Sequence, residues 1–430
     1  MRPLIPWRSR ASVWLLVPGL FGIAAYSVQF ASETAVSGYW PAAFAGSAIF
    51  LAFSCAAAAT AGAWEGRRYR AATAAIESSS RSSAAIVIDH LWTPLTAGVL
   101  LQLVAIVLMS RNTWGAPGGP SALVGLTFVS ILFFHTCVGF TLGRWLPPVA
   151  SLPLSLLASY SWLGFTWSVD YFPLRYLAGL VISDCCSVET SLDDRAPIIA
   201  TAFSVLAGCS LLMLAVARSA SGGRLRRLGV QIGTGSFAVV TAVSLIASAG
   251  LGPTPVVDRP QSQAICSGDR PTICLFPEQR EQSRSDAVIR KAVGNLTRSG
   301  IAAQPTVRAS NAPSTPATLN LIVQVRMTKA DLVHSLTTSV LGDAEVASCG
   351  TEQDDAERFN DAAVANRWLI DAASNGIVAA DEVASALQMD DPSVFSELRR
   401  APLPAQAAWV TATIERLTDC SVGHIPVPSA

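Results

Sequence analysis

Long uninterrupted apolar runs alternate with short polar connections from Ala11 to Gly252, and beyond that point the pattern changes. The runs are Ala11–Phe30, Trp40–Trp64, Leu91–Met109, Ser121–Gly143, Val149–Thr166, Pro197–Ala217 and Gly229–Gly252, seven in all, and none carries Asp, Glu, Lys or Arg in its interior. Each is close to the ~20 residues a helix needs to cross a hydrocarbon core. In lipid such a run must be helical, because the backbone finds no water to bond. The expected fold class is therefore an α-helical polytopic membrane protein of seven spans.

The remainder alternates differently. Pro253–Gln263 reads as an extended linker. Ile273–Phe276 is a short apolar strand. Pro277–Gly300 has apolar residues at helical spacing (Val288, Ile289, Ala292, Val293, Leu296), and Gln304–Thr318 reads as loop. Leu319–Met327 alternates as a half-buried strand does, and Lys329–Leu341 fits a helix. From Asp354 to Leu417 the chain predicts helices in several pieces, one with Phe359, Ala363, Trp368, Leu369 and Ala372 on its apolar side. The sum is a small, mostly helical α+β domain. Its 178 residues suffice to bury a core. The domain boundaries expected are 1–228 for six spans, 229–252 for the seventh, 253–263 for the linker and 264–430 for the last domain.

Charge orients the spans. With the N-terminus in the cytoplasm, Arg2, Arg8, Arg10, Arg67, Arg68, Arg70, Arg81, Arg144, Arg218, Arg224, Arg226 and Arg227 face inside, and only Arg111, Arg175 and Arg195 fall in short outer loops. That asymmetry is the positive-inside rule. Seven spans then place Pro253–Ala430 outside the cytoplasm, at a plasma membrane. Cleavage of the first segment as a signal peptide, best placed at Ala35-Val36-Ser37, would leave that side unchanged. The chain is neutral overall, but residues 1–252 carry a net +6 and residues 253–430 a net −6. An acidic outer domain argues against nucleic acid as its partner.

Six cysteines fall outside under this topology: Cys185, Cys186, Cys266, Cys274, Cys349 and Cys420. An even number in an oxidising compartment predicts disulfides. Cys266 and Cys274 flank a turn-forming stretch and are expected to pair, leaving Cys349 for Cys420. Cys185 and Cys186 could bond each other or meet partners elsewhere. Cys420 and His424 are spaced like a metal-ligand pair, but no C-x-x-C accompanies them.

Catalytic motifs are missing. The histidines are His90, His135, His334 and His424, none in H-E-x-x-H, and there is no G-x-S-x-G. Neither Lys291 nor Lys329 follows a glycine, so a P-loop is excluded. The acidic run Glu352–Glu357 lacks calcium-loop spacing. No enzymatic activity and no cofactor or metal is expected.

Within the spans, His135 reads either as a substrate or proton contact or as an interhelical hydrogen bond. Gly139 and Gly143 form G-x-x-x-G, which permits close helix approach. No acid–base pair is expected among the spans, which argues against an ion-coupled carrier.

Three features together resemble the permease subunit of an ABC exporter of the type V, ABCG-like layout: a basic cytoplasmic N-terminus, a cytoplasmic stretch Glu65–His90 between spans two and three, and an outer loop Trp167–Ala196 between spans five and six. The resemblance covers about residues 1–228. It implies a coupling helix within Glu65–His90, short re-entrant helices near Phe172–Ile182, a separate ATPase subunit and a homodimer or heterodimer. Arg67, Arg68 and Arg70 become candidates for the ATPase contact. Charge-poor spans suit an amphipathic or hydrophobic cargo. The seventh span and last domain depart from the six-span pattern. Through the segment CSGDRPTICLFPE, Cys266 to Glu278, they are similar to actinobacterial permease-like proteins that end in an extracytoplasmic domain of unknown function. The alternative expectation is a membrane scaffold or sensor whose outer domain binds a ligand or protein.

Overall fold

The computed structural model describes residues 10–30, 38–73, 83–217, 223–283, 285–302, 304–325, 327–342, 352–379, 382 and 392–428. The chain forms two compact units, Met1–Val257 and Asp258–Ala430.

The first unit is a helical bundle. Its elements begin with α1 (Ala11–Phe30) and α2 (Trp40–Gly46), which runs through a 3-10 turn, Ser47–Phe50, into α3 (Leu51–Ala71). Then come α4 (Ser83–Met109), α5 (Ala122–Trp145), α6 (Pro148–Ser168) and the short α7 (Phe172–Ala178). Strand β1 (Thr190–Leu192), α8 (Arg195–Ala217), α9 (Gly223–Ala249) and β2 (Val256–Asp258) complete it. Among the described residues, six helical stretches are long and apolar enough to cross a membrane: Ala11–Val28, Trp40–Ala71, Ala85–Asn112, Ala122–Trp145, Arg195–Ala217 and Gly223–Ala249.

Helix α6, which contains the fifth expected span, has comparable length but a serine-rich composition. Ser151, Ser155, Ser159 and Thr166 form its buried face. Ser155 and Thr166 donate back to the helix, at Leu152 O (2.8 Å) and Trp162 O (2.6 Å), while Leu154, Leu156, Leu157, Tyr160 and Phe165 point outward. Polarity lowers the average of this helix but lies inside the bundle.

Helix α3 is central, and close backbone approach is what lets it be so. A Cβ on Gly139 or Gly143 would collide with the carbonyl oxygens of Ala59 and Ala63. A Cβ on Gly62 or Gly66 would collide with the carbonyl oxygens of Thr136 and Phe140. Each helix thus offers a G-x-x-x-G face to the other. The motif at Gly139 and Gly143 serves packing within this chain, and its partner motif on α3 was missed by sequence reasoning. The peripheral helices α1 and α9 expose large apolar residues, among them Phe21, Val28, Val243 and Ile246. Such a surface suits lipid rather than water.

The expected linker is ordered. Strand β2 pairs with β1, Asp193 N donates to Pro255 O (2.8 Å), and Gln261–Gln263 forms a 3-10 turn.

The second unit is built on a four-stranded sheet of order β3-β4-β5-β6, from β3 (Ile265–Ser267), β4 (Thr272–Leu275), β5 (Thr306–Ala309) and β6 (Thr318–Leu321). The β3–β4 pair is an antiparallel hairpin, and the other two pairs are parallel. Helices α10 (Pro277–Ser283) and α11 (Ser285–Arg298) lie between β4 and β5 in the chain, the kind of helical crossover that parallel pairing requires. Helix α12 (Lys329–Leu341) starts with a capping box, Thr328 and Asp331 bonding each other's backbone N–H. Helices α13 (Glu352–Ser374), α14 (Pro392–Leu398) and α15 (Leu403–Thr418) follow.

Three expectations change here. Gln304–Thr318 contains β5, whose Val307 and Ala309 are buried; only the Pro- and Ser-rich part after it is loop. The strand expected to reach Met327 stops at Leu321, although Val323 and Val325 remain buried. On α13, Trp368 and Leu369 are buried as expected, but Phe359 is 61% exposed, and Ala365 and Ala373 complete the buried face. Phe359 lies more than two turns from Trp368, far enough for the 3.6-residue period to carry it off the core stripe.

Candidate functional site

The stretch Glu65–His90 is mostly helix rather than connection: α3 runs on to Ala71 and α4 begins at Ser83. The expected coupling helix falls largely on residues 74–82, outside the described residues. The helical continuation brings the two ends of that stretch together. Glu65 Oε2 lies 2.7 Å from His90 Nδ1, with both side chains buried, 2% and 7% exposed. Arg68 Nη1 approaches the other carboxylate oxygen at 3.6 Å.

The pair belongs to a larger knot. Tyr69 packs edge-on against the His90 ring, and the guanidinium of Arg144 lies over the Tyr69 ring at 4.4 Å. Arg144 Nε donates to Ala215 O on α8 (3.2 Å). One residue before His90, Asp89 meets Arg10 at 3.6 Å, and Arg10 also donates to Thr93 Oγ1 (2.7 Å) and Asp89 O (3.1 Å). Ile86, Val87, Leu91 and Phe140 enclose Tyr69. The segment before α1 and helices α3, α4, α5 and α8 are thus tied at one end of the bundle.

This overturns the expectation that the spans contain no acid–base pair, and with it the argument drawn against an ion-coupled carrier. Glu65 reads as a loop acid in a linear sequence because Arg67, Arg68 and Arg70 follow it; its burial depends on α3 continuing one more turn. A buried charge survives only with partners, and Glu65 has two.

The three arginines proposed for an ATPase contact are engaged. Arg67 lies over the Trp64 ring at 4.6 Å, Arg68 pairs with Glu65, and Arg70 Nη1 donates to Leu146 O (2.7 Å). His135 Nδ1 lies 2.7 Å from Ser159 Oγ on α6, a hydrogen-bonding distance between two helices, and its buried Nε2 meets no hydrogen-bond partner among the described residues.

Cys185 and Cys186 are bonded to each other, and Cys266 is bonded to Cys274. The vicinal pair follows short helical turns, α7 and Leu180–Asp184, in the loop where the resemblance implied short helices. Tyr176 on α7 donates to Gly252 O (2.8 Å), and Tyr39 to Thr190 O (2.9 Å). Cys420 is disulfide-bonded; its expected partner, Cys349, lies outside the described residues. A sulfur in a disulfide offers no thiolate to a metal, so Cys420 and His424 are not a ligand pair. Among the described residues no group of three or more His, Cys, Asp or Glu is arranged to hold a metal ion.

In the second unit the segment Cys266 to Glu278 is a structural hub. Cys266 and Cys274 sit opposite each other in the β3–β4 register. The turn between them uses Gly268 at φ +76°, and Arg290 donates to Ser267 O (3.3 Å) and Pro271 O (3.1 Å) across it. Pro277 opens α10, and Glu278 receives both terminal nitrogens of Arg259 at 3.1 Å, a fork-to-fork pair. Arg259 also covers the Phe276 ring at 4.3 Å, and Gln279 Nε2 donates to Val323 O. Residues 273–420 match a domain of unknown function, DUF7224. That region covers strands β4 to β6 and all six helices α10 to α15. No curated protein and no solved structure matches the chain.

Elsewhere in this unit a cleft of about 350 Å³ is lined by Gln324, Val325, Met327, Asp331, His334 and Ser335. Arg416 pairs with Asp361, and Arg358 donates to Arg416 O and to Val422 O (3.4 Å), pinning the segment after α15 to α13. His424 stands 3.9 Å from Asp361. Burial raises the Asp361 carboxyl above its ordinary pKa, against the pull of Arg416 and His424.

Proposed function

We propose that this chain is the membrane-spanning permease subunit of an ABC-type exporter that works with a separate ATPase subunit. In this reading α6 is the remaining span, giving seven, with the N-terminus cytoplasmic and the second unit extracytoplasmic at the plasma membrane. The apolar outer face of α6 and its internally satisfied serines favour that role. The chain acts as a homodimer or heterodimer, and its cargo is amphipathic or hydrophobic, in keeping with charge-poor spans.

The observation that carries the reading is the knot of Glu65, His90, Asp89, Arg10, Arg144 and Tyr69. It lies on the arginine-rich side, next to the connection between α3 and α4. A force applied there by an ATPase would reach α3, α4, α5 and α8 together, because each contributes a member or a carbonyl to the knot. Arg67, Arg68 and Arg70 then hold the docking surface in shape, rather than presenting free cations.

Purification from the native host in mild detergent, followed by mass spectrometry, tests the proposal. A stoichiometric ATPase subunit supports it. Recovery of this chain alone, with transport that follows a pH gradient and not ATP, would replace it with an ion-coupled carrier acting through Glu65 and His90. A second reading, a non-transporting scaffold or sensor, is favoured by the cleft at Asp331 and His334, and recovery of an envelope protein in place of an ATPase would select it. Orientation has its own check: after mild reduction, an impermeant thiol probe should label Cys266 and Cys274 in intact cells, and labelling only after lysis would reverse the topology.

A further inference from the structure

A cavity of about 740 Å³ lies in the first unit between α2, α4 and α5. That volume is within the ~300–1,000 Å³ of small-ligand sites. Its walls are one face of each of two antiparallel helices: Val99, Leu103 and Ile106 follow α4, with Ser110 in the 3-10 turn that ends it, and Ala122, Gly125, Val129 and Leu132 follow α5. Trp40, Phe44 and Trp114 complete it. Leu103, Val107 and Val129 are also exposed on the outer surface of helices apolar enough to span a membrane. The cavity therefore opens sideways, toward where hydrocarbon would lie.

Its two ends differ. One end, where α4 stops and α5 starts, holds Ser110, whose buried hydroxyl has no hydrogen-bond partner among the described residues, and Ser121, which caps α5. Trp40 and Trp114 stack edge to face there at 5.5 Å, the placement of an interfacial aromatic belt. The other end, at Val99 and Leu132, is apolar apart from Gln102, whose buried amide is already satisfied by Ser54 Oγ (3.2 Å) and Ser47 O (2.9 Å). From Ser110 to Val99 the groove is about 16 Å long at ~1.5 Å per residue. Half of a ~30 Å hydrocarbon core is about the same. The groove is as long as one leaflet is deep, polar at the interface and apolar toward the midplane.

We propose that this groove binds one acyl chain of a bilayer phospholipid as a resident ligand, with the ester end at Ser110 and the chain tail at Leu132. Gly125 makes the room: a Cβ there would meet only Phe44, at ordinary contact distance, whereas a large side chain would fill the groove. The inference rests on these helices being spans and is independent of the exporter reading, so failure of either leaves the other standing.

The test uses the full chain in nanodiscs of phosphatidylcholine doped with a phosphatidylcholine that carries a diazirine on its acyl chain. After illumination, adducts are mapped by peptide mass spectrometry. The expected result is enrichment on Leu103, Ile106 and Val129 of about tenfold over Val243 and Ile246 of α9, the ratio given by a 1.4 kcal/mol preference. Gly125→Phe should remove the enrichment and Gly125→Ala should keep it; if the phenylalanine variant does not fold, Leu103→Trp serves the same purpose. Adducts spread evenly over α4, α5 and α9 would overturn the proposal. So would enrichment that survives filling of the groove, or a tightly retained molecule other than phospholipid in the groove of the protein as isolated.

Discussion

In the first unit, α3 and α5 meet backbone to backbone across four glycines, and the largest exposed side chains are apolar. In the second unit the helices meet through Trp368, Leu369, Leu296, Val333 and Leu336, and the hairpin is held by a disulfide and an arginine clamp. Lipid tails are as apolar as leucine, so bringing large side chains together in a membrane releases no water, and tight contact between small residues holds the helices instead. Water rewards burial of large apolar surface. The two units thus follow the rules of two solvents, and each prediction below asks whether that division holds.

The seam of α3 and α5 should be the most sensitive place in the chain. Gly139→Leu is expected to cost more than ~3 kcal/mol, beyond ordinary overpacking, because the obstacle is the Ala59 backbone and not a side chain that can turn away. Gly235→Ala on α9, where nothing lies within 4 Å, is expected to be neutral or to gain up to ~1 kcal/mol of helix propensity. Thermal melts of the purified chain in detergent compare the two. A Gly139→Leu chain that melts like the native one would mean that the glycine seam does not hold the bundle.

Removing the Cys266–Cys274 bridge by the double serine change should cost about 2–3 kcal/mol, the loop-closure value for so short a ring. Limited proteolysis of the full chain should show the loss confined to residues after Asp258, with the first unit unaffected. Loss of both units together would break the comparison, since it would make their folding one event.

Glu65→Gln tests the exception, a charge buried among apolar helices. The variant keeps a hydrogen-bonding group at His90 and Arg68 but not the charge, and about 1–3 kcal/mol of destabilisation is expected. His90→Gln alone should act in the same direction, and the double variant should cost less than the sum, because the residues share one interaction. Strict additivity would show that the contact is not energetically coupled.

Legibility followed the same division. The apolar runs announced seven long helices, six of which are long and apolar enough to cross a membrane. The seventh, α6, was read as a span from its apolar run, and its buried serine face is what lowers its average below that of the other six. In the second unit a short apolar run marked β4, alternation marked β6, and the helical period marked α11. Strand β5 was hidden by its neighbours Pro305 and Ser310, and Phe359 was misplaced because an aromatic on a helix invites a core assignment. The knot was the least legible part. Glu65 and His90 are 25 positions apart, and nothing local says that the helices carrying them extend far enough to meet.

The smallest expected effect is electrostatic and belongs to the second unit. Asp361 is held above its ordinary pKa by burial, so the folded chain binds its proton more tightly than the unfolded chain does. Between the ordinary carboxylate value near ~3.9 and the raised one, the folded state holds more protons, and stability falls as pH rises through that window. Asp371 is raised by the same cause and adds in the same direction. Asp419, lowered by its hydrogen bonds to Ser421, acts in the opposite sense, but it is solvent-exposed and its share is small. The Asp361→Asn variant is therefore expected to lose part of the downward slope expected of the native chain as pH rises above the ordinary carboxylate range, read by denaturant unfolding of the second unit's tryptophans. Because Asn also gives up the ion pair to Arg416, the variant is expected to be less stable at every pH, and only the slope reports the titration. An unchanged slope would place the pH response elsewhere.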